Sequence, residues 1–268
     1  MAVFQMNILS AMLGTQVNFT VFMPSCVPAA DNAGMDNDAL YPRDVRFRTL
    51  WLIGSEYGDD SEAVRNTSIA RYAQEHNIAV VMPCTNNRLY TDEEKGQKFL
   101  RHITDELWTV CTGMMAISPR REDNYIGGIS LGAYAALKAA LHAPEKYSKV
   151  LMMGGAFGKD LEGTYIADLN RKLSETGSAI HVGLDDVPEG ELELYPRAEA
   201  LIAAGGPVPE ISISRRSAEG CDVYAAQAAD ELRKLGYSVC ENTYDTPDLW
   251  DFCDAALKKE LNEFICRD

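Results

Sequence analysis

A serine flanked by glycines is the part of the sequence with the clearest capacity for chemistry. Residues 124–141 read NYIGGISLGAYAALKAAL, so an apolar run passes through Gly128-x-Ser130-x-Gly132 into an alanine-rich helical pattern. A strand that turns sharply into a helix at such a motif exposes the serine hydroxyl as a nucleophile, and the crowded turn requires small neighbours. The pattern therefore predicts a nucleophile at Ser130. The alternative interpretation is a glycine-rich turn that only allows close packing.

A serine hydroxyl is a poor nucleophile unless a base accepts its proton, and histidine is the usual base. The chain has four histidines, His76, His102, His142 and His181. His142 ends the helical pattern after Ser130, and a helix rise of about 1.5 Å per residue places it about 15 Å or more from the serine. His76 is predicted at the surface and His102 in mid-helix. His181 lies in an irregular segment, and its approach to Ser130 stays open.

Composition and charge limit the classes of function. The chain has 268 residues, of which 46% are hydrophobic and 24% charged, and its formal net charge is −15. These values are typical of a globular protein with a substantial core. The negative charge argues against nucleic acid and against an anionic membrane surface as partners, because both bind basic surfaces.

The cysteines and the first residues predict a cytoplasmic protein. Seven cysteines, an odd number with no C-x-x-C spacing, favour free thiols in a reducing compartment. The opening stretch, MAVFQMNILSAMLG, lacks a basic segment and is predicted as a strand instead of a signal peptide. No apolar run reaches the length of a membrane span. No set of His, Cys and Asp residues has the spacing of metal ligands, so no metal site is predicted.

The predicted elements alternate between strands and helices. VFQMNIL and VNFTVFMPS are predicted to pair as antiparallel strands, and from RTLWLIG onward strands and helices alternate as far as the closing helix LWDFCDAALKKELNEFI. This alternation predicts an α/β fold with a mostly parallel central sheet and helices on both faces. Residues 158–206 break the rhythm and are predicted as a small insertion that could cover a site. Residues 1–268 are predicted to form a single domain.

Several segments, in order along the chain, resemble one enzyme family. NFTVFMPS, TSIARYAQEHNIAVVMP, LYTDEEKGQKFLRHITDEL, REDNYIGGISLGAYAALKAAL and LWDFCD are similar to segments of the tributyrin and feruloyl esterases, within the esterase D superfamily of α/β-hydrolases. The resemblance covers nearly the whole chain and implies the α/β-hydrolase fold. It implies hydrolysis of short-chain or aromatic acyl esters by a Ser–Asp–His triad without a metal or organic cofactor. The implied partner is a small-molecule acyl ester or related ligand, and a homo-oligomer is a further possibility.

The resemblance assigns roles at two turns. The family's nucleophile corresponds to Ser130, and one oxyanion-hole donor corresponds to the backbone N–H of Leu131, an amide that survives side-chain changes. The family writes its second oxyanion turn as Leu-Leu-His-Gly-x-x-Gly-Asp, whereas this chain has LWLIGSEYGDD. When the two are aligned on Gly58-Asp59, the family's His-Gly becomes Gly54-Ser55. Ser55 is therefore the candidate for the second donor.

The acid and the histidine depart from the family pattern. The family's acid loop resembles Gly-Thr-Glu-Asp-Phe-Leu-Tyr, and this chain has RSAEGCDVY, in which Asp222 is the candidate acid and Glu219 a nearby alternative. The family's histidine precedes Trp-Asp-Phe, and here DTPDLWDFCD places Asp248 at that position. An aspartate carboxylate is a weak base toward serine at neutral pH.

Two hypotheses of different classes follow from these residues. The first is a carboxylic ester hydrolase that acts through Ser130 with an unusual base, such as His181 or Asp248. The second is a catalytically inactive pseudo-esterase with a ligand-binding or oligomer-interaction role. The glycine-flanked serine and the nearly full-length resemblance support the first. The departures at the oxyanion turn, the acid loop and the histidine support the second, because all three fall at sites that serve one reaction. Loss of a triad histidine lowers kcat by about 10⁶, which argues against conventional esterase activity.

Overall fold

An eight-stranded sheet organises the chain. The computed structural model describes residues 1–25, 34–56, 58–84, 89–155, 167–175, 177, 192–217 and 222–266. The strands are β1 Ala2–Ser10, β2 Thr15–Met23, β3 Arg48–Ile53, β4 Ile78–Pro83, β5 Asn124–Ile129, β6 Lys149–Met153, β7 Glu210–Arg216 and β8 Val239–Tyr244. Their order in the sheet is β1-β2-β4-β3-β5-β6-β7-β8. The predicted β1–β2 pair and the β2–β4 pair are antiparallel, and the other neighbours are parallel.

Helices cover both faces of this sheet, and the predicted α/β-hydrolase fold is confirmed. They are α1 Asn37–Leu40, α2 Glu62–Asn66, α3 Ile69–Glu75, α4 Phe99–Arg101, α5 Trp108–Met114, α6 Leu131–His142, α7 Ala167–Glu175, α8 Tyr195–Ala203, α9 Asp222–Lys234 and α10 Leu249–Glu260. Two π-helical segments, His102–Leu107 and Leu261–Ile265, follow α4 and α10. None of the helices in the described ranges is both long and apolar enough to cross a membrane.

Side-chain alternation along the strands divides the core into two layers. In β3, Trp51 and Ile53 face a cluster that includes α5, α6, α8 and α9, whereas Leu50 and Leu52 face a cluster that includes α3 and α10. All residues of β4 and β5 are buried. A strand that is covered on both faces needs apolar residues at nearly every position, which explains the continuous apolar runs in the sequence.

The helix that follows the glycine-flanked serine is buried on all sides. Every residue from Leu131 to Leu141 is buried, including Lys138, whose ammonium lies 5.8 Å from the centre of the Tyr134 ring. Alanine occupies five of these positions. Because alanine has a small side chain, α6 packs closely against β3, β5 and β6 and lies in the centre of the molecule.

The helix in which His102 is predicted contains an irregularity. It begins only at α4, and the π-helical segment His102–Leu107 separates α4 from α5. Within that segment Glu106 accepts a hydrogen bond from the backbone N–H of Ala11 at 2.6 Å. A π-helical turn has more residues than an α-helical turn, so it changes the direction in which its side chains point. Here the Glu106 carboxylate ties the helix to the connection between β1 and β2.

The insertion predicted over residues 158–206 is mainly helical where the structure describes it. It contains α7 and α8, and Ala198 of α8 is fully buried in the larger core cluster. Arg197 Nε donates to the carbonyl of Leu141 in α6 at 3.0 Å. The end of the insertion therefore belongs to the helical layer. Residues 158–166, 176 and 178–191 of the insertion lie outside the described ones, and its covering role stays a prediction.

Candidate active site

Ser130 occupies a sharp turn between β5 and α6. Its backbone has φ 54° and ψ −116°, and a positive φ is uncommon for residues other than glycine. The Ser130 N–H donates to the carbonyl of Met153 at 2.9 Å, and the Ser130 carbonyl accepts from the N–H of Ala133 at 3.0 Å. Such a conformation costs about 1–3 kcal/mol and persists only when its surroundings enforce it, which is most frequent at functional sites.

Backbone crowding explains the glycines on either side of this turn. A Cβ on Gly128 would overlap the carbonyl group of Gly132. A Cβ on Gly132 would overlap the carbonyl oxygens of Ile53 and Gly54, at the end of β3. The start of α6 therefore rests directly on the turn after β3. The positions of Ser130 and of that turn depend on one backbone contact.

Parallel strands bring the other candidate residues to the same edge of the sheet. The carboxyl ends of β3, β5, β7 and β8 share one edge, because these strands are parallel. Ser55 follows β3, Asp222 begins α9 after β7, and Asp248 precedes α10 after β8. Ligands of open α/β sheets bind at this edge. The side chain of Asp222 and all of Glu219 lie outside the described part of the chain.

A buried carboxylate holds the turn after β3. The backbone N–H of Ser55 donates to Glu62 Oε2 at 2.8 Å, and the Ser55 hydroxyl donates to Oε1 at 2.6 Å. Glu62 is the first residue of α2 and is 6% exposed. A Cβ on Gly58 would overlap its carboxylate. The Ser55 amide, predicted as the second oxyanion donor, is thus engaged inside its own turn.

A second carboxylate of this turn faces the amide that follows the nucleophile position. The Leu131 N–H donates to Glu56 Oε2 with an N···O distance of 3.5 Å, and Glu56 is half-buried. Leu131 is the first predicted oxyanion donor. A negative charge that develops on an ester oxygen at this amide would lie close to the negative charge of Glu56. Two like charges about 4 Å apart repel by about 1–4 kcal/mol in a partly solvated site.

Asp248, predicted to stand at the family's histidine position, caps the last helix. Its Oδ1 accepts hydrogen bonds from the backbone N–H groups of Trp250 at 2.8 Å and Asp251 at 3.0 Å. Aspartate is among the best N-cap residues, because its carboxylate satisfies amides that have no partner within the helix. The Asp248 side chain is exposed. In this arrangement the carboxylate serves the start of α10.

The three described histidines lie away from Ser130. His142 is the last residue of α6, and burial, with two nearby cations, lowers its pKa to about 4. His76 precedes β4, at the opposite edge of the sheet. His102 lies beside the end of β1, and four strand spacings of about 4.8 Å separate β1 from β5. His181 lies outside the described residues.

A Ser–His–Glu set beside β1 has a structural role. Ser10 Oγ lies 3.2 Å from His102 Nδ1 and donates to Glu106 Oε2, which lies 2.6 Å from the same ring nitrogen. Ser10 is completely buried, so no substrate reaches it. Burial lowers the pKa of His102, against the opposing effect of Glu106. The set fastens the β1–β2 connection to the π-helical segment.

The described residues offer no evident place for a metal ion. Within those ranges no three His, Cys, Asp or Glu side chains are grouped so that they could hold one.

The fold, with a serine in a strained turn between a strand and a helix, is that of the α/β-hydrolases. FphF, a fluorophosphonate-binding serine hydrolase of Staphylococcus aureus, has the same fold with a TM-score of 0.80, at 24% identity over 100% of this chain and 99% of that one. The S-formylglutathione hydrolase FrmB of S. aureus gives 0.76 at 22% identity over 99% of each chain. A ferulic acid esterase of Anaeromyces mucronatus gives 0.67 at 12% identity over 99% of this chain and 91% of that one.

The family described as "Putative esterase" matches residues 39–176, just over half of the chain and including Ser130, and the chain belongs to this family. An acetyl esterase of Caldicellulosiruptor saccharolyticus is 26% identical over 160 residues, which are 58% of this chain. The chain spans 57% of the length of that relative. The predicted relationship to an esterase family is confirmed.

We expect Gly132→Ala to destabilise the protein by about 1–3 kcal/mol, because the added methyl overlaps backbone oxygens that cannot rotate away. Gly113→Ala is the matched control. Gly113 also lies in a helix, and nothing lies within 4 Å of its added Cβ. This control should stabilise the protein by about 0.5–1 kcal/mol. Urea unfolding of both variants measures the difference. Equal effects of the two substitutions would contradict the close contact between α6 and the turn after β3.

Proposed function

We propose that the protein binds short-chain acyl esters at the sheet edge around Ser130 and hydrolyses them through that serine. The observation that carries the proposal is the strained backbone of Ser130, held between β5 and α6 by hydrogen bonds and by glycine contacts. A turn that only packed a helix on a sheet would gain nothing from a non-glycine residue at positive φ. A turn that presents a nucleophile requires one there.

The reaction proposed is acyl transfer in two steps. Ser130 Oγ attacks the ester carbonyl carbon, its proton passes to a water molecule, and the carbonyl oxygen becomes an oxyanion at the Leu131 amide. The carbon–oxygen bond to the alcohol then breaks, and the alcohol leaves with a proton. Water attacks the acyl-serine to release the acid and regenerate the hydroxyl. Asp222 is the proposed acid of the triad, and the steps use no cofactor.

The proposed rate is low compared with that of a complete triad. Asp248 is occupied with two helix amides, and no described histidine lies near Ser130. Loss of the histidine from a triad lowers kcat by about 10⁶, and what remains comes from binding and the oxyanion hole. The Glu56 carboxylate beside the Leu131 amide lowers this remaining activity, because its negative charge destabilises the oxyanion. We therefore propose a slow hydrolase that retains its ester site.

The substrate class proposed is a small acyl group on oxygen or sulfur. The similar proteins include an acetyl esterase, S-formylglutathione hydrolases and ferulic acid esterases. All three activities transfer an acyl group from a leaving alcohol or thiol to water. A suitable panel is p-nitrophenyl acetate, p-nitrophenyl butyrate, methyl ferulate and S-formylglutathione.

A second candidate function is an inactive pseudo-esterase that binds an ester-like ligand. The specific observation that favours it is the helix cap at Asp248, since the residue that replaces the imidazole is engaged in a structural contact. In this case the site would bind members of the same panel as competitive ligands without turnover.

The first test compares wild-type protein with Ser130→Ala in p-nitrophenyl butyrate hydrolysis, with Ser238→Ala as an exposed serine control remote from the site edge. We expect a slow rate above buffer that Ser130→Ala abolishes and Ser238→Ala leaves unchanged. A fluorophosphonate probe, followed by intact mass, should label the wild type and not Ser130→Ala. Equal rates in all three proteins and no labelling would refute hydrolysis through Ser130 and favour the second candidate.

Glu56→Gln should raise the Ser130-dependent rate several-fold, because it removes a negative charge beside the Leu131 amide. The control is Glu94→Gln, which removes the same charge from an exposed position outside the site. The measurement is kcat/KM for p-nitrophenyl butyrate. If Glu56→Gln lowers the rate and Glu94→Gln does not, the interpretation is wrong. Such a result would indicate that the Glu56 carboxylate accepts the serine proton.

Asp248→His places an imidazole at the position that the family uses. We expect it to raise the Ser130-dependent rate by about 10²-fold, the lower end of the range for a general base. It should also lower the free energy of unfolding by about 1 kcal/mol, because the helix cap is weakened. Asp248→Asn is the matched control, since asparagine caps a helix but is not a base, and its rate should stay at the wild-type value. Identical rates in both variants would show that position 248 does not reach the serine.

A further inference from the structure

Strand β1 leaves one edge of the sheet open. It is the first strand in the sheet order, and its only partner among the described strands is β2, with which it pairs over all nine residues. The outward backbone groups of an edge strand are ready to pair with another strand. Proteins usually prevent this with lysine, proline, bulges or short strands. The outer edge of β1, Ala2–Ser10, has none of these protections.

Absence of charge sets this edge apart from the rest of the molecule. Residues 1–30 contain no Asp, Glu, Lys, Arg or His, in a chain whose formal net charge is −15. Two copies of such an acidic protein repel each other over most of their surfaces. The outer edge of β1 is a place where they can approach without bringing like charges together.

Large apolar side chains are also exposed along β1. Val3 is 58% exposed, Phe4 43% and Leu9 74%. On the other hand, Met6 and Ile8 are partly buried against the core. An edge with exposed apolar groups and no charge is typical of an interface and not of a solvated edge.

We propose that two copies of the chain associate through antiparallel pairing of their β1 strands about a two-fold axis at Met6. The sequence of β1 is self-complementary in this register. Val3 lies opposite the partner's Leu9, Phe4 opposite the partner's Ile8, and Gln5 opposite the partner's Asn7. Over residues 3–9, each apolar residue meets an apolar residue and each amide meets an amide, and at the strand ends Ala2 lies opposite the partner's Ser10.

The faces of the strand are consistent with this register. Residues directly opposite each other in an antiparallel pair project from the same face of the sheet. Val3, Gln5, Asn7 and Leu9 therefore form one continuous surface with the same residues of the partner. The symmetry makes every contact occur twice, as in an isologous dimer.

The edge is already ordered for pairing. The Ser10 end of β1 is held by His102 and Glu106, and Asn7 donates to Asn18 Oδ1 on β2 at 2.7 Å. An edge strand that is fixed before association loses little conformational entropy when a partner strand adds to it. Pairing would join the two eight-stranded sheets into one continuous sheet. This assembly does not depend on the proposed ester hydrolysis.

The test places like charges opposite each other at the centre of the interface. In Gln5→Lys/Asn7→Lys, each lysine at position 5 faces the partner's position 7, so that two repulsive pairs form. Gln5→Glu/Asn7→Glu places glutamates at the same positions, so that two repulsive pairs of negative charges form. The matched control is Gln227→Lys/Asn262→Lys, because Gln227 on α9 and Asn262 in the segment after α10 are exposed amide residues outside β1 and β2.

Sedimentation equilibrium up to about 100 μM measures the dimer dissociation constant. We expect a dimer for the wild type and the control, and a rise of about tenfold or more in the dissociation constant for each charged β1 variant. An equimolar mixture of the Lys and Glu variants should form a heterodimer, which also shows that both are folded. The Lys variant has a smaller net charge than the wild type, so its dissociation cannot come from overall repulsion.

Two results would overturn the proposal. One is a wild type that stays monomeric over the whole concentration range. The other is a dimer that both charged variants keep with unchanged affinity, which would place the interface elsewhere. A heterodimer from the mixture, together with weakened self-association of each variant, supports this strand and this register.

Discussion

Gly132 lies against the carbonyl oxygens of Ile53 and Gly54, and this backbone contact holds the candidate site together. It fixes the distance between the start of α6 and the turn after β3. Because Ser130 directly precedes α6, the contact sets its conformation. Because Glu56 lies in the turn after β3, the contact also sets its position. The neighbouring turn is then held by the buried carboxylate of Glu62. The geometry of the site therefore depends on backbone packing and two acidic residues.

Position 248 can serve either helix capping or proton transfer, and the two roles require different side-chain directions. A helix start needs a side-chain acceptor for its free amides, and a triad needs a base that can turn toward serine. The carboxylate of Asp248 meets the first need with two hydrogen bonds. A side chain engaged in this way is poorly placed to move a proton. The helix α10, which packs Phe252 and Leu257 into the core, gains a well-defined beginning.

Periodicity and local turn chemistry made much of the fold predictable from sequence. The apolar runs of β4 and β5 and the glycine-flanked serine before α6 are local signals, and the elements lie where these signals indicate. The antiparallel β1–β2 pair follows from two adjacent alternating runs. These signals need no knowledge of distant contacts, because strand burial and turn conformation act over a few residues.

The contacts of acidic side chains could not be predicted, because they join residues that are distant in sequence or depend on exact side-chain direction. Glu106 contacts Ala11 across a separation of 95 residues, and the π-helical turn that allows this has no sequence signature. Glu56 reaches Leu131 across 75 residues. In the sequence, Glu56 and Glu62 lie in the stretch SEYGDDSE, which does not show which amides they contact. Their separate directions, one toward Leu131 and one toward Ser55, exist only in the folded chain.

The helix cap at Asp248 also has a genetic consequence. Codons for aspartate and histidine differ only in their first base, so a single transversion exchanges the capping carboxylate for an imidazole. The strained turn at Ser130 does not depend on that side chain, since backbone contacts and glycines maintain it. A lineage that carries this scaffold is therefore one nucleotide from either side chain at this position, without any rebuilding of the nucleophile turn.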